Sequence, residues 1–335
     1  MPVDSTRRQF LTASAAGMVT AGACLPGIAA KPKEKRKAQI AITLDLEMSA
    51  QYPHEGMTEW NYQKGNLDGP TKKYSVDAAR VVKQRGGRIH FFCVGRVLEQ
   101  PDISWLQELA KEGHPIGNHT YDHVNVLAKE AQQTQFRFQR APWLVAGKTA
   151  REIIRENVRV TTIALKKRAG IEVNGFRTPG GFYSALTDRE DVQDLLKEAG
   201  FSWVSSKYPP HLSGKRGEAL GTEVYESIVE AQKQAQPFRY PNGVIEIPMS
   251  PISDVTAFRS KKWKLDWFLE ATRRSVAWAI ETGGVFDFLA HPSCLVVEDP
   301  KFQIVRLICE MVNAAGDRAE ITTLDRIAAR MGEAK

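Results

Sequence analysis

Cysteine is scarce in this chain: Cys24, Cys93, Cys294 and Cys309 are the only four among 335 residues. Their wide spacing argues against a disulfide framework and offers no zinc-finger pattern. No basic helix with base-reading residues compensates for the missing finger, so nucleic acid is not an expected partner. Long apolar runs are lacking beyond the first 30 residues, and no membrane span is expected there. Acidic residues are outnumbered, with 39 Asp and Glu against 46 Lys and Arg, for a formal net charge of +7. Much of that excess sits in Lys31-Pro32-Lys33-Glu34-Lys35-Arg36-Lys37, which reads as a solvated basic linker. The chain as a whole has 42% hydrophobic and 25% charged residues, a normal balance for a soluble globular chain. Its length suffices to bury a large core without metal or disulfide staples.

Residues 1–30 read as a targeting segment. Ser5-Thr6-Arg7-Arg8-Gln9-Phe10-Leu11 resembles a twin-arginine export signal, and an Ala/Gly-rich stretch follows it. The apolar part, from about Phe10 to Ala23, is short of the ~20 residues a span needs. Gly27-Ile28-Ala29 is the expected cleavage region, with lipoprotein processing at Cys24 as the rival. The expectation is a protein exported to the periplasm or beyond. Cys93 lies in an apolar run and reads as a small core residue.

From residue 38 the chain alternates between strand-like and helix-like segments. Strands are expected at 39–44, 88–95, 115–118, 173–176, 201–205, 244–248, 285–290 and 320–324. Helices are expected at 75–84 with Ser75 as N-cap, at 103–112, and across most of 128–167. The stretch 207–243 reads as a loop. Such alternation predicts an α/β domain built on a parallel, barrel-like sheet, with no second domain over 38–335.

Four segments at or just past strand ends carry the candidate chemistry, and that end is where parallel barrels place their active sites. Asp45 and Glu47 are two residues apart, so both carboxylates share one face. His119 and His123 have the i, i+4 spacing that brings two imidazoles to one metal on a helical turn. Arg177 ends a strand, and Pro179-Gly180-Gly181 forms a turn whose backbone N–H groups suit an oxyanion. His291 closes the apolar run Phe286-Asp287-Phe288-Leu289-Ala290. Trp143, Tyr208, Phe238 and Tyr240 are aromatic candidates for stacking on sugar rings, although such residues are more often core.

In this order the segments resemble the polysaccharide deacetylase family, carbohydrate esterase family 4, with its NodB-like homology domain. Phe91-Phe92-Cys93-Val94-Gly95, the approach Glu112 to His119, Arg177-Thr178-Pro179-Gly180-Gly181 and Leu289-Ala290-His291-Pro292 add to the likeness, which spans about 38–330. The resemblance implies a distorted (β/α) barrel, usually of seven strands, and one divalent metal, commonly zinc. It implies Glu47, His119 and His123 as ligands, Asp45 as general base, and Arg177 as the residue that orients Asp45. It also implies His291 as general acid, the Gly180 N–H as an oxyanion donor, and Pro179, Gly181 and Trp203 on the substrate side. An acetylated glycan is the implied substrate.

Two departures stand out. The family's second aspartate is Leu46 here, so Glu47 must serve in a D-x-E arrangement that resembles a divergent branch. No aspartate occurs in Phe201-Ser202-Trp203-Val204-Ser205-Ser206 to orient Arg177, which leaves Asp287 as a substitute whose alternation looks unfavourable. Two other readings therefore stay open: a C–N hydrolase of a small cyclic amide or ureide, and an inactive carbohydrate-binding homologue.

Overall fold

A computed structural model describes residues 36–57 and 59–333. The leader, Cys24 and residues 31–35 of the basic run lie outside the described residues. Nine strands form one sheet: β1 Ala38–Leu46, β2 Ile89–Cys93, β3 Ile116–Asn118, β4 Phe176–Phe182, β5 Trp203–Lys207, β6 Phe238–Arg239, β7 Ile245–Glu246, β8 Val285–Ala290 and β9 Ala319–Thr322. The order is β6-β7-β5-β4-β3-β2-β1-β8, with β9 also on β1. Among the described residues eight strands, β1 to β5 with β7, β8 and β9, run parallel, and β6 is antiparallel. The upper half of one β1 edge pairs with β2 and the lower half with β9, while β8 takes the other edge. The α/β expectation is met, and the sheet curls into a distorted half-barrel.

β7 and β8 share no ladder. The gap is bridged where Ser250 N–H donates to the Asp287 carbonyl at 2.8 Å and Gln232 and Gln236 donate to that of Val285. Such side-chain bridging satisfies backbone groups that a strand would otherwise pair.

Strand alternation divides the core. On β1, Ile40, Ile42, Leu44 and Leu46 face outward into the main apolar cluster, with helices Gly69–Lys83, Leu265–Thr282 and Gln303–Ala315. Ala41 faces inward among Phe92, Trp203, Ile245, Val285 and Leu324. Thr43 and Asp45 continue that inner row toward the C-terminal rim.

Several expected elements shift. The helix Gly69–Lys83 begins six residues before Ser75; Asp68 is its N-cap, and its side chain accepts from Thr71 N–H at 2.8 Å. Residues 131–145 form only short turns, and the long helix is Ala150–Ala164, opened by a Thr149–Glu152 capping box. The expected loop at 207–243 contains the helix Thr222–Gln234. Local propensity is a weak guide where Pro142 and a buried face compete.

Candidate metal centre and active site

Three layers fill the inside of the half-barrel. The floor is aromatic: His90 stacks on Phe92 with centroids 4.8 Å apart, and Trp203 meets both edge-on. Gly175, at φ +78°, admits the Trp203 indole, since a Cβ there would lie 1.8 Å from the ring. This corrects the expectation for Trp203. It opens β5, is 4% exposed, and packs as core beneath the rim.

The middle layer is ionic. Arg177 is fully buried, and its guanidinium lies 4.3 Å above the Phe92 ring. Its Nη1 donates to Thr43 Oγ1 at 2.7 Å and Asp45 Oδ1 at 3.1 Å. Its Nη2 donates to Asp287 Oδ2 at 2.5 Å, and Nε and Nη2 both reach Ser205 Oγ. Asp287 thus points at Arg177, which removes the doubt raised from alternation. Residues 287 and 291 are four apart, so strand alternation puts them on one face. Burial pushes the Asp287 carboxyl up to about 6 against the opposing pull of Arg177. A buried cation flanked by two carboxylates fixes geometry more than it adds stability.

The rim carries the remaining residues. Glu47 follows β1 through a tight turn in which its N–H bonds to the Asp45 carbonyl. Its loop is pinned by Ser293, whose Oγ donates to the Glu47 carbonyl at 3.0 Å and accepts from Ser49 N–H. His119 follows β3, and its N–H bonds to the Cys93 carbonyl. Its Nδ1 lies 3.0 Å from the Arg177 carbonyl and donates to it, leaving the Nε2 lone pair free to face inward.

His123 does not reach the site on a helical turn. Residues 119–124 are irregular, with Thr120 at φ +59° and His123 at φ +57°. Left-handed backbone at a β-branched residue persists only where its surroundings impose it. Here Asn118 does so: its Oδ1 accepts from Thr120 N–H, and its Nδ2 donates to the Val158 carbonyl and Thr162 Oγ1. Thr120 Oγ1 then accepts from Val124 N–H.

Three ligand atoms converge as a result. One atom from each of Glu47, His119 and His123 lies within 4.8 Å of the others. Glu47 Oε2 is 2.7 Å from His123 Nε2 and 3.6 Å from His119 Nε2, yet this buried oxygen makes no hydrogen bond of proper geometry. Facing lone pairs without a shared proton fit a divalent cation. Protonation supports the same set. Burial lowers both histidines, His123 to about 4, so both are neutral near pH 7. Burial alone would raise Glu47; neighbouring positive charge, Lys64 and His291 included, outweighs it and holds the carboxyl well below its usual range.

Two residues went unnoticed in the sequence. Asp254 holds His291: its Oδ1 lies 2.9 Å from Nδ1, and its Oδ2 accepts from His291 N–H at 2.8 Å. Burial would lower this imidazole, but Asp254 outweighs it and lifts His291 to about 9. His291 Nε2 is 3.6 Å from Glu47 Oε1. Lys64 is the second: its Nζ is ion-paired with Glu47 Oε1 and lies 3.5 Å from His123 Nε2. No sequence pattern marks either residue, because each lies distant from its partner along the chain.

Arg177 to Phe182 lie in β4, where a register shift against β5 bulges the strand. Pro179 is buried, whereas Gly180, at φ +75°, and Gly181 are exposed. Gly181 borders a 300 Å³ groove with Tyr183, Tyr208, Pro210 and Thr256. Of the stacking candidates, Trp143 is exposed, Tyr208 and Phe238 are half-buried, and Tyr240 is buried.

A sequence model of the polysaccharide deacetylase family matches residues 68–202. That stretch is similar to the family. The matched segment includes His119, His123 and Arg177, but Asp45, Glu47 and His291 fall outside it. The chain is 31% identical over 75 residues to a chitooligosaccharide deacetylase of Azorhizobium caulinodans, covering 22% of this chain and 35% of that one. It is 38% identical over 73 residues to a peptidoglycan-N-acetylglucosamine deacetylase of Bacillus cereus, covering 22% and 25%. The chain thus matches only about a third or less of the length of these deacetylases. The fold resembles the crystal structure of a candidate polysaccharide deacetylase from Mycobacterium smegmatis. There the TM-score is 0.57 at 16% identity, covering 92% of this chain and 95% of that one.

Proposed function

We infer that this chain is a metal-dependent hydrolase that removes acetyl groups from an N- or O-acetylated polysaccharide. The observation that carries the reading is the convergence of Glu47, His119 and His123 beside Asp45 and His291. Zinc is the favoured ion, because two imidazoles and a carboxylate suit it and leave coordination open. When bound, such an ion would polarise the acyl carbonyl and lower the pKa of a water to about 7.

The chain's own residues supply the rest. Asp45, steered by Arg177 Nη1, accepts the proton of the attacking water. His291, held protonated by Asp254 near neutral pH, gives a proton to the departing amine or alcohol. The Gly180 N–H is the proposed donor to the oxyanion, and Pro179 and Gly181 line the approach. Exposed Tyr183, beside Gly181 on the groove, offers a ring face for a sugar. The twin-arginine-like leader supports action outside the cytoplasm, where such glycans lie.

Acetate release from chitin oligomers, peptidoglycan and acetylated xylan tests this reading. Wild type should release acetate from at least one, and Asp45→Asn and His119→Ala should fall by about 100-fold or more. No release from any of them by metal-loaded wild type would sink it. A second reading is favoured by enclosure, since Asp45 and Glu47 are 3% and 2% exposed. A small cyclic amide or ureide would fit such a site, and turnover of that class without acetate release would favour it.

A further inference from the structure

The proposed reaction gives Lys64 no role, yet its placement is strongly determined. It follows the short helical turn Trp60–Gln63, and its carbonyl accepts from Met48 N–H at 3.0 Å. The next residue, Gly65, is pressed so closely on the chain at Arg96 that a Cβ would lie 2.3 Å from the Arg96 Cβ. Backbone on both sides is therefore pinned, and the side chain points inward with 3% exposure. Lysine is almost never buried without a specific partner. Here the ammonium is ion-paired with Glu47 Oε1 and stands 3.5 Å from His123 Nε2. Those residues supply two of the three converging ligand atoms.

We propose that Lys64 is a built-in competitor of the metal ion, which sets how tightly the site holds it. The inference rests on the metal reading above. A divalent ion and the ammonium draw on the same carboxylate, and they repel each other at this range with little water between them. Glu47 can offer Oε2 to the ion while Oε1 keeps the lysine, but its charge is then shared. The four-carbon stem lets the ammonium move off His123 while the pinned backbone stays in place. The site thus binds its ion less tightly than its ligands alone would allow.

The test is zinc affinity, measured by competition with a chromophoric chelator, for wild type, Lys64→Met, Lys64→Arg and His119→Ala. Methionine keeps the length of the stem and removes the charge. Lys64→Met should bind zinc about 10- to 100-fold more tightly than wild type. Lys64→Arg, which keeps the charge, should gain nothing. A structural role for Lys64 in arranging Glu47 gives the opposite sign, so equal or weaker binding by Lys64→Met overturns the proposal. His119→Ala separates the two claims. If it binds like wild type, the metal reading fails and takes this proposal with it; if it binds poorly while Lys64→Met does not tighten, only the competitor role fails. Should Lys64→Met not fold, Lys64→Gln is read in the same way. The rise in melting temperature on adding zinc, larger in the variant than in wild type, gives a second readout.

Discussion

Asp254 is the main carboxylate raising His291, ahead of Glu47 and Asp45, and that makes its protonation adjustable by one mutation. Asp254→Asn removes the charge that holds His291 at about 9. The alkaline limb of kcat/KM should move down by about 1–3 pH units, with an NMR titration of the imidazole moving equally. An unmoved limb would remove His291 from the acid role. The sign for stability follows from the same shift. A histidine raised in the folded state contributes stability that is full below its ordinary value of 6.5 and fades as pH climbs through about 9. Asp254→Asn should therefore lose stability mainly on the acid side of that window. Arg177 behaves differently because no water can replace a lost partner. Asp287→Ala leaves it buried with one carboxylate, and urea unfolding should show a loss of about 3–5 kcal/mol.

At the scale of elements, the loop after β3 does what a helical turn was expected to do. Spacing alone indicated that His119 and His123 meet, and they do, with ring centroids 5.1 Å apart. The route could not be read, because left-handed Thr120 and His123 depend on Asn118 being anchored to Val158 in the helix Ala150–Ala164. Asn118→Ala should weaken zinc binding by about 10- to 100-fold in the chelator assay, with the barrel still folded by circular dichroism. Unchanged affinity would show that the loop holds its shape without Asn118. Strands were legible for a related reason: their short, continuous apolar runs mark strands buried on both faces. The turns at 131–145 and the cap at Asp68 were not, because capping and short turns hinge on local competition.

Across the whole molecule, chemistry and stability lie at opposite ends of the half-barrel. The final helix, Leu324–Glu333, closes the end away from the site, with Leu324 and Ile327 buried in the cluster that contains Phe92 and Trp203. Leu324→Ala should cost about 2–5 kcal/mol in thermal or urea unfolding. Its zinc affinity should match wild type, because Arg177, seated on the Phe92 ring, lies between that cluster and Asp45. A parallel loss of affinity would mean that the floor and the rim are mechanically coupled through Phe92 and Arg177.

The sequence by itself determined the alternation of strands and helices, the shared face of Asp45 and Glu47, and the candidates at the strand ends. It did so because periodicity is a local property and chain order places strand ends together. The structure adds why Glu47 rather than Leu46 can face the site: on β1 the odd positions turn inward, and Leu46 lies in the outer apolar cluster. Only the tertiary structure decided which charges meet. Asp287 to Arg177, Asp254 to His291 and Lys64 to Glu47 are contacts across separations of 110, 37 and 17 residues. Their energy depends on burial and distance, and neither is encoded in any local pattern of residues.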